Sequence, residues 1–328
     1  MIISDPIWGI FNIQDKVLID LIKTEPLQRL KRINQAGASI FILSWKTVTR
    51  YDHSLGVMLL LRKYGAGLEE QIAGLLHDVS HTVFSHVADF VFPSEDHEFH
   101  EKYFQKIILA SKIPQILKQH GFSLQKIFDI DRFTLLENKI PDICADRIDY
   151  FFRDEHSQLG LNSMIRNSIK HFIVYQGEFI FNDSKAALNF ARSYLLRDES
   201  SWSDPREIAL YKVLAMAIRQ GLADKILTED DLFTSDEEVI DKLKRSRNGS
   251  IKKNLGFLNP KFSVKLVDKN KADFFIKNKL RFVNPKVLLK EGKVVRVSKI
   301  YPQFFHQLEE HKRKATAGFH VKINTSYG

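Results

Sequence analysis

Residues 53–100 carry six of the chain's twelve histidines: His53, His77, His81, His86, His97 and His100. Several lie in or beside segments rich in Leu, Ile and Phe, where an unsatisfied imidazole costs about 1–3 kcal/mol. A shared ligand or a linked network would remove that cost. The densest stretch is GLLHDVSHTVFSHVAD, from Gly74 to Asp89. His77 and Asp78 are neighbours at the end of an apolar run, so one ion between them takes a nitrogen and a carboxylate oxygen from one helix end. His77 and His81, four apart, are predicted to share a helical face. His86 and Asp89, three apart, suit an imidazole oriented by a carboxylate, as general acid-base work requires. The neighbouring carboxylate predicts a raised His86 pKa.

Two further segments carry candidates. TRYDHS places His53 just before a helix, and ICADRIDYFFRDE, from Ile143 to Glu155, repeats Asp146, Tyr150 and Asp154 every four residues on one helical face. Asp149 in the same run reads equally well as an ordinary surface carboxylate beside Arg147 or Arg153. Asp146, in its apolar setting, does not.

The elements that must position these residues are mostly helical. Between Leu27 and about Tyr175 apolar residues recur at three and four residue spacing, predicting helices over Ser54–Tyr64 and Leu68–Val79. IVYQGEFIF, residues 173–181, predicts a hairpin turning at Gln176-Gly177. Helices follow at Lys185–Arg197, Tyr211–Leu227 and Asp236–Lys244. From Asn248 onward β-branched alternation, with turn signals at Asn284-Pro285 and Glu291-Gly292, predicts a β-containing region over about 249–300. A charged helix over Gln307–Lys314 and a mobile tail complete the chain. The fold expected is mainly α, a helical bundle over 1–248 with a mixed α/β region over 249–328 packed on it.

Composition narrows the chemistry. Cys144 is the sole cysteine, so neither an intramolecular disulfide nor a thiolate cluster for zinc is available, and any metal falls to His and carboxylate. Cys144 itself reads as a small buried residue. The longest apolar runs fall far short of the roughly 20 residues that span a bilayer. The start of the chain lacks the basic flank and apolar run of a signal peptide, so a cytoplasmic protein without membrane association is expected. A net charge of +9 favours anionic partners without choosing among them.

Taken in order, H, then H-D, then a distant D resembles the ligand pattern of HD-domain phosphohydrolases. The extended form HD-x-x-H-x-x-x-x-H-x-x-D is similar to the deoxynucleoside triphosphate triphosphohydrolase branch. The likeness runs from LQRLKRINQAG through TRYDHSLGV and DRIDYFFRD to LRFVNPKV and VVRVSKI. It implies an HD-type helical bundle whose metal site lies in 50–154. It also implies His53, His77, Asp78 and Asp146 as metal ligands. His81 and His97 match histidines that contact the scissile phosphate, with His100 as the alternative to His97, and His86 with Asp89 matches an acid-base pair. Arg50 and Arg147 fit phosphate contacts; Gln35, Tyr150 and Asp154 match positions that read the deoxyribose. The family's Tyr-x-His element after RSYL is replaced here by Ser201-Trp202-Ser203.

The activity implied is metal-dependent hydrolysis of a deoxynucleoside triphosphate to deoxynucleoside and triphosphate. Its alternatives are an HD phosphomonoesterase or phosphodiesterase acting on another nucleotide, and a nucleotide- or nucleic-acid-binding module with a vestigial site, using the basic 242–253 segment. His2Asp2 ligation suits Mn, Fe, Zn, Co or Ni comparably. Magnesium accompanying the nucleotide and assembly as a homo-oligomer are further expectations.

Overall fold

A computed structural model describes residues 1–92, 99–277 and 279–324. The fold is mainly α, with a smaller sheet-containing region. The central layer is the Arg50–Lys63 helix packed between the Leu68–Leu76 and Ala145–Leu159 helices. Val57 to Leu61 and Ile72 to Leu76 bury their apolar side chains in this layer. The Pro205–Ala223 helix packs on the other side, against the short Val87–Val91 helix and the Gly249–Gly256 helix.

Nine strands form three small sheets among the described residues. β1 (Ile2–Asp5) and β2 (Gly9–Asn12) make an N-terminal hairpin. β3 (Phe172–Tyr175) and β4 (Glu178–Phe181) make the predicted hairpin, turning through left-handed Gln176 and Gly177. β5 (Val264–Leu266) and β6 (Phe274–Ile276) precede β7 (Lys286–Leu288) and β8 (Val294–Arg296). β7 joins β4 in parallel through Phe181 and Val287, so the C-terminal strands extend a sheet begun by the helical part.

Some boundaries differ from those the sequence predicts. The central helix starts at Arg50, not Ser54, because Thr49 and Asp52 form a capping box: each backbone amide meets the other's side-chain oxygen at 3.1 Å. His53 therefore sits in the helix's first turn. The next helix ends at Leu76, so His77 and His81 do not stack on one helical face. The region after 248 begins with a helix, Gly249–Gly256, capped by Asn248. The tail predicted to be mobile includes β9 (Phe319–Ile323), the middle strand of the β5-β9-β6 sheet, whose Val321 is fully buried. Its alternating pattern FHVKI is too short to stand out from the charged helix before it.

Gly56 lets the two helices that carry the site approach. A Cβ there would lie 1.8 Å from Arg153 Nη2 and 2.1 Å from Asp149 Oδ1. Overpacking of this kind costs typically 1–3 kcal/mol, and this pair of charges is buried with no room to move. Gly56→Ala should lower unfolding free energy by at least about 2 kcal/mol in urea titrations, whereas Gly249→Ala, with open space around it, should be neutral or slightly stabilising. Equal behaviour of the two variants would contradict the close approach.

Candidate metal centre and substrate cleft

The first turn of the Arg50–Lys63 helix, the end of the Leu68–Leu76 helix and the first turn of the Ala145–Leu159 helix point their side chains at one spot. His53 Nε2 lies 3.0 Å from Asp146 Oδ1, and His77 Nε2 lies 3.6 Å from the same oxygen. The donor atoms of His53, His77 and Asp146 all fall within 4.8 Å of one another. Asp78 closes the group, with Oδ1 3.5 Å from His77 Nε2 and Oδ2 3.9 Å from His53 Nε2.

The nitrogens that face the cluster are placed as candidate ligands. His77 Nδ1 donates to the Gly74 carbonyl at 2.7 Å, which leaves the Nε2 lone pair facing the cluster, buried and without a hydrogen-bond partner. His53 Nδ1 donates to Asp149 Oδ2 at 2.8 Å. Asp149 is itself fully buried and receives Arg153 Nε at 2.6 Å and Trp8 Nε1 at 2.6 Å, while Arg153 reaches Asp5 at 2.7 Å. A carboxylate on the far nitrogen fixes the tautomer and orientation of a ligating imidazole. Asp149 is thus no surface residue, as one reading of its sequence allowed. Its signal is the four-residue spacing to Arg153, which puts an opposite charge one helical turn away.

Two imidazoles and two carboxylates, one nitrogen orphaned, fit a divalent transition metal. Without an ion the same charges hold protons. Burial works against the His53 imidazolium, but its bonds to Asp146 and Asp149 and the charge of Asp78 outweigh this and raise its pKa to about 9. His77 moves in the same direction: burial is outweighed by Asp78 and Asp146. Burial would raise Asp78, yet Arg50, bonded to it at 2.8 Å, with His77 and His81, holds it well below the usual carboxylate range. Cys144, beside Asp146 and Glu137, is buried as expected; burial and Glu137 push its thiol up, so it stays protonated and a poor ligand.

Beside the cluster, His81 Nε2 meets Asp78 Oδ1 at 3.2 Å, and its ring stacks on His100 with centroids 3.7 Å apart. Burial, Arg50 and His100 lower the His81 pKa strongly, and burial and His86 lower that of His100 to about 3. Both rings are neutral at pH 7. His100 stands in this group, and His97, the other candidate, lies outside the described residues. His86 Nδ1 meets Asp89 Oδ2 at 3.1 Å, the pairing its spacing predicts, and 39% of the His86 side chain remains exposed to the cleft. The predicted pKa direction is wrong, however. Burial and the Arg50 charge outweigh Asp89 and lower His86 below its usual value. The turn before it is strained: Phe84 and Ser85 both have positive φ, held by Asp236 on the Phe84 amide and by Ser85 bonding Asn34 and Arg50.

His53, His77, Asp78 and Asp146, with His81, His86, Asp89 and His100, line one cavity of about 1140 Å³, together with Gln35, Tyr150, Asp154 and both predicted phosphate-binding arginines. Both arginines are engaged by the protein. Arg50 bonds Asp78, Ser85 and His86; Arg147 bonds Glu137, the Asn138 and Asp142 carbonyls and Cys144. Asp154 Oδ2 accepts Trp202 Nε1 at 2.7 Å and lies 3.5 Å from the buried Lys46. Tyr150 bonds Tyr194 and packs edge-on against Trp202, centroids 5.1 Å apart. Trp202, in the Ser201-Trp202-Ser203 stretch, therefore forms part of this wall of the cavity. The basic 242–253 residues line no part of this cavity; Lys242 pairs with Asp231.

Residues 50–154 match the HD domain family. The chain is 39% identical to YdhJ of Bacillus subtilis over 98% of its own length and 99% of that protein. It is also 34% identical to the metal-dependent phosphohydrolase cns2 of Cordyceps militaris, covering 76% of this chain and 74% of the relative. The chain belongs to the HD-domain phosphohydrolase family. A more distant likeness, 27% identity over 49% of this chain and 34% of the relative, is to the deoxynucleoside triphosphate triphosphohydrolase SAMHD1 of Gallus gallus. The fold of this HD-domain chain is shared with a solved phosphohydrolase from Bacteroides thetaiotaomicron at a TM-score of 0.70 and 20% identity, over 91% of this chain and 94% of the other. Among the described residues no helix is long and apolar enough to cross a membrane.

Because His53 holds a proton up to about pH 9 in the metal-free protein, metal binding near pH 7.5 must expel it. Calorimetric metal titrations in buffers of different ionisation enthalpy should report release of about one proton or more, shrinking as pH rises past 9. Asp149→Asn should weaken metal binding roughly 10- to 100-fold although Asp149 bonds His53 and not the ion. No proton release, or wild-type affinity in Asp149→Asn, would contradict this geometry.

Proposed function

We infer that this HD-domain phosphohydrolase acts on deoxynucleoside triphosphates, releasing inorganic triphosphate, with His53, His77, Asp78 and Asp146 holding one divalent transition metal. The observation that carries the reading is that the His-Asp cluster and the residues matching deoxyribose readers, Gln35, Tyr150 and Asp154, line a single cavity. The distant likeness to SAMHD1 supports it.

A bound divalent ion supplies Lewis acidity toward a phosphoryl oxygen and lowers the pKa of water beside it. The chain's own residues do the rest. Arg50 and His81 fix Asp78 from the side away from the ligand nitrogens. Neutral His100 donates a hydrogen bond to the phosphate without the cost of burying a charge, while His81, whose one N–H goes to Asp78 at 3.2 Å, holds that carboxylate in place. Water adds to the α-phosphorus, the bond from phosphorus to the 5′-oxygen breaks, and His86 donates the proton that the departing oxygen needs. The resting His86 is neutral, but several negative charges arriving beside it favour the imidazolium. Asp89 keeps the ring turned toward the cleft and accepts from Phe99 N at 3.1 Å as well. Tyr150, held by Tyr194 and Trp202, presents its ring to the sugar and leaves no room for a 2′-hydroxyl.

A second reading, an HD phosphomonoesterase or phosphodiesterase on another nucleotide, has one observation in its favour. Trp202 already donates to the Asp154 oxygen expected to accept the 3′-hydroxyl. The two readings differ in product.

Metal-loaded protein incubated with a panel of deoxy- and ribonucleotides, with products resolved as triphosphate, pyrophosphate or phosphate, tests the choice. Triphosphate from deoxynucleotides is the expected product; phosphate alone would move the assignment to the second reading. His86→Ala should keep its metal and lose roughly 100-fold in turnover, and loss of the metal would remove its proposed role. Tyr150→Ala should relax discrimination against ribonucleotides, and unchanged discrimination would place sugar reading elsewhere.

A further inference from the structure

A nucleoside triphosphate carries several negative charges into this cleft, and the cations expected to meet them are already committed. Arg50 is locked onto Asp78 and Ser85, and Arg147 onto Glu137 and two carbonyls. Lys46 is buried between Asp154, Glu207 and Ser201. Each neutralises the protein's own carboxylates and has little left for a ligand. One arginine lining the cavity is different. Arg281 has no carboxylate partner among the described residues, and it comes from LRFVNPKV, a stretch far from the HD motif.

We propose that Arg281 is the cleft's anion receptor for the polyphosphate of the substrate, delivered across the active site by the C-terminal region. The proposal rests on the phosphohydrolase reading above and names how its substrate's charge is met.

Three features of the segment suit the role. Its backbone is anchored: buried His311, on the Pro302–Ala317 helix, donates from Nε2 to the Arg281 carbonyl at 3.0 Å and lies 3.2 Å from Asp198. Phe282 and Val283, next in sequence, are buried, and Asn284 N bonds the Pro141 carbonyl at 2.9 Å. So the main chain is fixed while the residue lines the cavity. The charge also reaches the reacting residues, since it is felt at His86 on one side and at Tyr194 and Tyr211 on the other. Finally, Lys277 lines the same cavity and adds positive charge to this wall. A guanidinium fork matches phosphate oxygens in a bidentate way that a lysine does not.

The test uses the full metal-loaded chain with magnesium in excess and inorganic tripolyphosphate as the probe, binding being followed by calorimetry at two salt concentrations. Arg281→Gln should weaken tripolyphosphate about 10- to 100-fold, with a shallower salt dependence, and should melt like wild type. Arg281→Lys should recover part of the loss. With nucleotides, the rise in KM of Arg281→Gln should be largest for the triphosphate and smallest for the monophosphate. Unchanged tripolyphosphate affinity in Arg281→Gln, or an equal KM effect on tri- and monophosphate, overturns the proposal. The two readings fail separately. Wild-type protein that binds tripolyphosphate through Arg281 but hydrolyses no phosphoester would sink the phosphohydrolase reading and leave the anion receptor standing.

Discussion

The site depends on one buried carboxylate. Asp149 accepts from His53, Arg153 and Trp8 at once, and through Arg153 it is tied to Asp5. Ionised groups buried this deeply are tolerable only with all their bonds made, and here each is. The network joins the Arg50–Lys63 helix, the Ala145–Leu159 helix and the N-terminal hairpin around His53, so that its outward nitrogen has one direction in which to point. Gly56 is the steric condition for it. On the other side of the cluster the Gly74 carbonyl orients His77 by the same logic. The geometry of the cluster is thus set from behind, by groups that lie outside it.

Charge is then sorted around the cluster. Asp78 and Asp146 stay ionised because Arg50 and the histidines face them, while His81, His86 and His100 are driven toward the neutral form by burial and by one another. The cleft pairs an acidic floor, suited to a cation, with imidazoles held neutral beside it, His81 and His86 giving their N–H to Asp78 and Asp89. Its far wall, Trp202 on Asp154 with Lys46 behind, is satisfied within the protein. Arg281, between β6 and β7, lines the cleft with no carboxylate partner among the described residues.

Much of this was legible in the residues. The resemblance of the ordered motifs to HD-domain phosphohydrolases implied the set His53, His77, Asp78 and Asp146, the four-residue repeat Asp146-Tyr150-Asp154 placed those residues on one helical face, and the three-residue step from His86 to Asp89 suited a bonded pair. The hairpin at Gln176-Gly177 followed from turn chemistry. What stayed hidden depends on tertiary contact. Asp149 looks like any helical carboxylate until Trp8, 141 residues away, donates to it. Whether Arg50 and Arg147 face a ligand or the protein is decided by which carboxylates fold against them. The lowered pKa of His86 follows from burial and from Arg50, which the Asp89 spacing does not reveal. β9 was missed because a five-residue strand gains its order from two neighbours distant in sequence.

The central claim is that two imidazole nitrogens and two carboxylate oxygens, from His53, His77, Asp78 and Asp146, hold one transition metal where the phosphoester is broken. Anomalous diffraction from crystals of metal-loaded protein, collected on both sides of the metal's absorption edge, tests this directly. A single strong anomalous peak within bonding distance of His53 Nε2, His77 Nε2 and the Asp78 and Asp146 carboxylates is the predicted result. A peak at Cys144, or none among these four side chains in crystals that contain the metal, would contradict it.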